Sequence, residues 1–107
     1  MNRTSACILV VEDDPTIRRG LVAELTEEGY GVLEAPEGRQ GLVLFGQGAP
    51  DLVLTDLAMP VADGFELIRG IRRVSATPIV VLSVRGADVD KIRADTEQWR
   101  RRIAGAR

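Results

Sequence analysis

The sequence predicts an α/β fold, a doubly wound parallel sheet with helices on both faces. Three observations carry that expectation. Short unbroken apolar runs stand at residues 8–11, 52–54 and 79–82, and such runs suit strands buried on both faces. Segments with helical spacing separate them, and strict alternation argues for parallel strands joined by helical crossovers. Carboxylates follow two of the runs, Glu12-Asp13-Asp14 and Asp56, at the strand ends where such sheets carry their sites.

Each element has its own signals. Residues 6–11 (Ala-Cys-Ile-Leu-Val-Val) predict the first strand. Asp14-Pro15 then opens a helix, with Asp as N-cap and Pro at the first helical position. Ile17, Leu21 and Leu25, with Val22 beside them, give that helix an apolar stripe, and Gly29 closes it. Tyr30 to Glu34 reads as a shorter strand, and Pro36 to Gly46 as a second helix with Leu42 and Phe45 on its apolar side. Gly38 and Gly41 lower the propensity of that helix. Gly48-Ala49-Pro50 predicts a turn before the third strand, Leu52 to Leu54. Gly64 to Arg73 predicts a third helix with Phe65, Ile68 and Ile71 on one face, and Pro78 introduces the fourth strand, Ile79 to Leu82. From Ala87 to Ile103 the residues Val89, Ile92, Thr96, Trp99 and Ile103 follow steps of three and four, which predicts a fourth helix roughly 25 Å long.

Composition bounds the function classes. A chain of 107 residues, 45% hydrophobic and 28% charged, predicts one globular domain. With only 4% aromatic residues, its core rests on Val, Leu, Ile and Ala. The single Cys7 allows no internal disulfide and reads as a small buried apolar side chain. No apolar run has the length of a signal peptide or a membrane span, so a cytoplasmic location is expected. Net charge is −2, yet residues 85–107 carry 7 basic and 4 acidic groups against 7 and 12 in residues 1–84. A basic tail on an acidic body, without a recognised DNA-binding motif, gives no reason to expect direct nucleic-acid binding. Arg100-Arg101-Arg102 suits the end of a solvated helix, where basic residues complement the dipole.

Glu12, Asp13, Asp56 and Ser83 all fall at carboxyl ends of predicted strands, and they come from three separate segments. Side-by-side carboxylates repel unless a cation lies between them, so the arrangement calls for a metal. Taken one by one, the residues also have plainer readings. Asp14 is better placed as a helix cap than as a ligand, Glu12 could be a solvated acid, and Ser83 could be a strand-end hydroxyl. Gly64 fits a backbone requirement at a helix start.

With those motifs the chain resembles the receiver domain of bacterial two-component response regulators. The resemblance rests on Ile8-Leu-Val-Val-Glu-Asp-Asp14, Pro50-Asp-Leu-Val-Leu-Thr-Asp56-Leu-Ala-Met-Pro60, Asp63-Gly-Phe-Glu-Leu67, Thr77-Pro-Ile-Val-Val-Leu-Ser83 and Arg85 to Arg93, and covers residues 6–94. It implies a flavodoxin-like sheet ordered 2-1-3-4 and a phosphorelay role, with a sensor histidine kinase as partner. Asp56 would be the phospho-acceptor, and Ser83 would hydrogen-bond the phosphoryl group and draw the following loop inward. Mg²⁺ would be the cofactor, bound by Asp13, Asp56 and the Ala58 backbone carbonyl, with Glu12 holding a metal-bound water. Met59-Pro60 and Gly64 would shape the loop beside the acceptor. The protein would not be a turnover enzyme, because it takes the phosphoryl group on its own side chain.

The last residues depart from the family pattern. The family continues with a fifth strand ending in Lys-Pro and a fifth helix, whereas residues 94–107 hold neither an apolar strand nor a lysine. Lys91 is the single lysine in the sequence and lies in the predicted fourth helix. We therefore expect a single receiver domain over 1–107 with a divergent basic helical tail at 95–107. Phosphotransfer would be weakened, because the lysine charge that stabilises the transition state is lost. Strand four would be an apolar edge, inviting contact with a second copy or another receiver through that strand and the tail helix. A degenerate receiver, binding partners without phosphorylation, is the alternative. An aspartyl phosphatase or phosphotransferase is disfavoured because Ala58 stands where such enzymes place a second Asp. A dinucleotide site is disfavoured because acids replace the glycine-rich turn after strand one.

Overall fold

The computed structural model describes residues 6–56 and 63–81, with the side chain of Asp63 undescribed. Its element order is β1 (Cys7–Val11), α1 (Pro15–Glu27), β2 (Gly31–Ala35), α2 (Gly38–Gly48), β3 (Leu52–Thr55), α3 (Asp63–Arg72) and β4 (Ile79–Val81). The strands form one sheet ordered β2-β1-β3-β4, every pair parallel. The fold class and strand order read from the sequence are therefore observed. The expected fourth helix and the rest of the tail lie outside the described residues.

Strand alternation divides the core into two layers. Ile8 and Val10 join Leu21, Leu25, Leu52 and Leu54 on the face covered by α1. Leu9 and Val11 join Ala35, Val53, Leu67 and Ile71 on the opposite face, against α2 and α3. β1 feeds both layers, which is why its four residues from Ile8 to Val11 are at most 1% exposed.

Most helix signals act as their chemistry predicts. Asp14 caps α1, its Oδ1 accepting from the N–H groups of Thr16 at 2.8 Å and Ile17 at 3.1 Å. The end of α1 is a Schellman turn: Gly29, at φ +98°, donates to the Thr26 carbonyl, and Tyr30 donates to that of Leu25. α2 starts two residues later than its apolar spacing suggests, because Glu37 is the N-cap and accepts from the Gln40 N–H at 3.0 Å. It also runs on to Gly48 and stops at Ala49, which takes a left-handed φ of +44°.

Three expectations change. Phe65 is 49% exposed, whereas Leu67 and Ile71, one turn apart, are fully buried. The core-facing stripe of α3 is thus Leu67–Ile71, with Ile68 half-buried at its edge, because i and i+4 stack on one face of a helix. Gly41 is not merely a weak helix former. A Cβ there would sit 2.9 Å from Val11 Cγ2 and 3.3 Å from Leu67 Cδ1, so the glycine lets α2 lie close against β1. Cys7 is half-buried rather than buried, and burial followed by the Asp51 charge raises its thiol pKa.

Candidate functional site

The parallel ladder fixes which residues meet at the carboxyl edge. Val11 pairs with Ala35 and with Thr55, so the next residues, Glu12 and Asp56, leave adjacent strands at the same level. The ladder runs one step beyond β1 through the Glu12 N–H, which donates to the Ala35 carbonyl at 3.1 Å. Both carboxylates are buried, Glu12 at 3% and Asp56 at 6% exposure. Asp13 is exposed beside them.

Glu12 carries the electrostatic strain of the cluster. Its pKa is pushed from 4.5 to about 7. Burial is the largest cause, and the nearby carboxylates of Asp13 and Asp56 add to it, against a lowering hydrogen bond from the Asp14 backbone. That bond runs from the Asp14 N–H to Glu12 Oε2 at 2.9 Å. Asp14 thus serves as cap and backbone donor, as its position after the strand suggests.

The raised pKa has a sign that can be measured. Between pH 4.5 and about 7 the folded chain binds the Glu12 proton and the unfolded chain has released it, so stability falls as pH rises through that window. Glu12→Gln keeps an acceptor for the Asp14 N–H and removes the charge. We expect it to stabilise the protein above pH 7 by about 1–3 kcal/mol. The gain should vanish below pH 4.5, where the glutamate is neutral in both states. Thermal melts in chelator across this range would show it, and an equal effect at every pH would refute it.

The sequence reading gave no role to Arg18, which braces the β1–α1 turn. Its Nη1 donates to the Glu12 carbonyl at 2.8 Å, and its Nε pairs with Glu34 Oε1 at 3.2 Å. The available signal was its place one turn into α1, above the turn that holds the acids. Thr55 was also passed over. Its hydroxyl is buried directly before Asp56 and has no hydrogen-bond partner.

Glu12, Asp13 and Asp56 are therefore brought together at one edge. Among the described residues, however, no three acidic, His or Cys groups converge tightly enough to form a ready cation site. Ala58, Met59, Pro60 and Ser83 lie outside the described residues. β4 ends at Val81, two residues before Ser83, and pairs Val81 with Thr55. No helix among the described residues is long and apolar enough to cross a membrane.

Comparison with known proteins gives a consistent answer. The profile of the family described as "Response regulator receiver domain" matches residues 8–100. The KDP operon transcriptional regulatory protein KdpE of Escherichia coli is 44% identical over 87 residues, 81% of this chain and 39% of that protein. The transcriptional regulatory protein AfsQ1 of Streptomyces coelicolor is 41% identical over 85 residues, 79% of this chain and 38% of that protein. The chain thus spans less than two-fifths of the length of these relatives. Among solved structures, the chemotaxis protein CheY4 of Vibrio cholerae superposes with a TM-score of 0.72 at 28% identity, over 89% of this chain and 80% of that one.

Proposed function

Because the chain belongs to the response regulator receiver domain family, we propose that it accepts a phosphoryl group on Asp56 from a sensor histidine kinase. The observation that carries this reading is the pairing of two buried carboxylates, Glu12 and Asp56, at the carboxyl edge of neighbouring parallel strands. Residues 1–107 act as one receiver domain, with 95–107 as a basic tail.

An Asp56 carboxylate oxygen attacks the phosphorus of the kinase phosphohistidine. The new P–O bond forms as the P–N bond breaks, and the imidazole nitrogen leaves with the electron pair. The product is an acyl phosphate on the protein itself, so the chain is consumed stoichiometrically rather than turning over. Burial of Asp56 excludes water from the attacking oxygen. Arg18 and the Glu12–Asp14 bond hold the β1–α1 turn, keeping Glu12 and Asp13 facing the acceptor. The Ser83 hydroxyl donates to the transferred phosphoryl group, a charge-assisted bond that exists only after transfer and so biases conformation.

The donor chemistry fits Mg²⁺. Burial raises the Glu12 pKa first and the Asp13 and Asp56 carboxylates add to it; a divalent cation among these hard oxygens would relieve the repulsive part. Asp13, Asp56 and the Ala58 carbonyl would hold it directly and Glu12 through a water. When bound it supplies charge neutralisation of the phosphoryl oxygens. Wild-type protein incubated with acetyl phosphate should gain one phosphoryl group by intact mass with Mg²⁺ and none with chelator. Failure to gain it with Mg²⁺ would count against the reading.

A phosphorylation-independent interaction module is the second reading, favoured by the divergence of residues 95–107, which hold no lysine, from the family pattern. It would show as kinase binding retained by a wild-type chain that takes up no phosphate.

A further inference from the structure

Away from the acidic edge, α2 and α3 enclose a groove of about 300 Å³ lined by Arg39, Leu42, Glu66, Arg69, Gly70 and Arg73. Its floor is apolar and tight: a Cβ on Gly70 would come within 2.6 Å of Leu42 Cδ2, so the glycine brings the helices together there. Its rim is charged, with three guanidinium groups against the single Glu66 carboxylate. All four of these side chains are exposed. Among the described residues the one ion pair is Arg18–Glu34, so none of the three groove arginines is neutralised by a described acid.

Local stability does not account for this arrangement. Arg39 lies in the first turn of α2, where the helix dipole disfavours a cation. Arg69 and Arg73 are four residues apart, a spacing at which like charges repel. The dipole does favour Arg69, in the last turn of α3, but Arg72 is the residue that satisfies the carbonyls beyond that helix, donating to Ser75 at 3.2 Å and Thr77 at 2.8 Å. Among the described residues, the groove arginines make no such bond.

We propose that the α2–α3 groove is a docking surface for an acidic segment of a partner protein. The segment's carboxylates would pair with Arg39, Arg69 and Arg73, and one of its apolar side chains would rest on the Leu42–Gly70 floor. Charge complementarity selects this occupant. Glu66 within the rim opposes a uniformly anionic nucleic-acid backbone, whereas a peptide can place a neutral or apolar residue beside it. Val43, 54% accessible, lies one helical turn from Arg39 on the same side of α2 and adds an exposed apolar side chain there. The inference does not depend on phosphorylation of Asp56.

The test uses the full chain and a fluorescein-labelled peptide, Glu-Glu-Leu-Phe-Glu-Glu, followed by fluorescence anisotropy. The probe should bind saturably and weaken with added salt. Joint reversal by Arg39→Glu, Arg69→Glu and Arg73→Glu should cost about tenfold or more in affinity and create affinity for the matching lysine peptide. Replacing the three by Gln is a milder set that should also lose the acidic probe, with circular dichroism confirming that both variants stay folded. Substituting Ser for Leu and Phe in the probe should weaken it several-fold. No saturable binding, equal binding by the reversed variant, or tighter binding of a labelled single-stranded DNA would overturn the proposal. So would anisotropy that follows protein self-association rather than the probe.

Discussion

Asp56→Asn is expected to abolish phosphoryl uptake from acetyl phosphate in Mg²⁺, lowering it by at least ~10²-fold. The substitution removes the anionic oxygen that forms the acyl phosphate and keeps the shape of the side chain. It also removes one charge from a cluster in which Glu12 is already pushed to about pH 7 by burial and its acidic neighbours. The variant should therefore stay folded and be at least as stable as wild type at neutral pH. Those two readouts together separate a lost nucleophile from a collapsed fold. Intact mass should show one phosphoryl group on wild type and none on the variant, and the wild-type adduct should be released by hydroxylamine, as an acyl phosphate is. Equal labelling of the two proteins would place the acceptor elsewhere.

The second large effect is on folding. Leu9→Ala is expected to destabilise the protein by about 2–5 kcal/mol. Leu9 is fully buried at the centre of β1 and packs with Val11, Ala35, Val53, Leu67 and Ile71. The cost combines lost transfer energy with a cavity that two helices and a three-strand backbone cannot easily close. Native domains are stable by only about 5–15 kcal/mol, so a large share of the stability would go. The urea midpoint should fall with the slope unchanged. Val74→Ala is the control, because Val74 is 75% exposed, and its effect should stay within about 0.5 kcal/mol. The consequence reaches the site, since β1 and β3 hold Glu12 and Asp56 at one level only while their shared layer is packed.

Much of this was legible because the signals are local. An apolar run is buried as a strand wherever helices cover both faces, and Asp14-Pro15 carries its cap and its first helical residue in sequence. Acids after β1 and β3 meet because parallel strands in register end together. The α3 stripe was less legible. Phe65, Ile68 and Ile71 and the pair Leu67 and Ile71 both have helical spacing, and only the position of α2 and β3 decides that Leu67 turns inward and Phe65 outward. Gly41 likewise looks like a poor helix former until Val11 and Leu67 are seen 2.9 and 3.3 Å from where its side chain would be.

The sequence by itself determined the alternation of elements, the parallel class and the identity of the clustered acids, because each follows from periodicity, capping chemistry or the order of residues along the chain. The tertiary structure alone decided their energetics. Glu12 could have been a solvated acid, and its burial to 3% exposure beside Asp56 makes it the strained member of the site. Arg18 gains its role only because α1 folds back over the turn that β1 delivers. The arginine groove exists only because Gly70 lets α3 close onto Leu42 of α2. Burial and approach depend on several segments at once, and no single stretch of sequence encodes that sum.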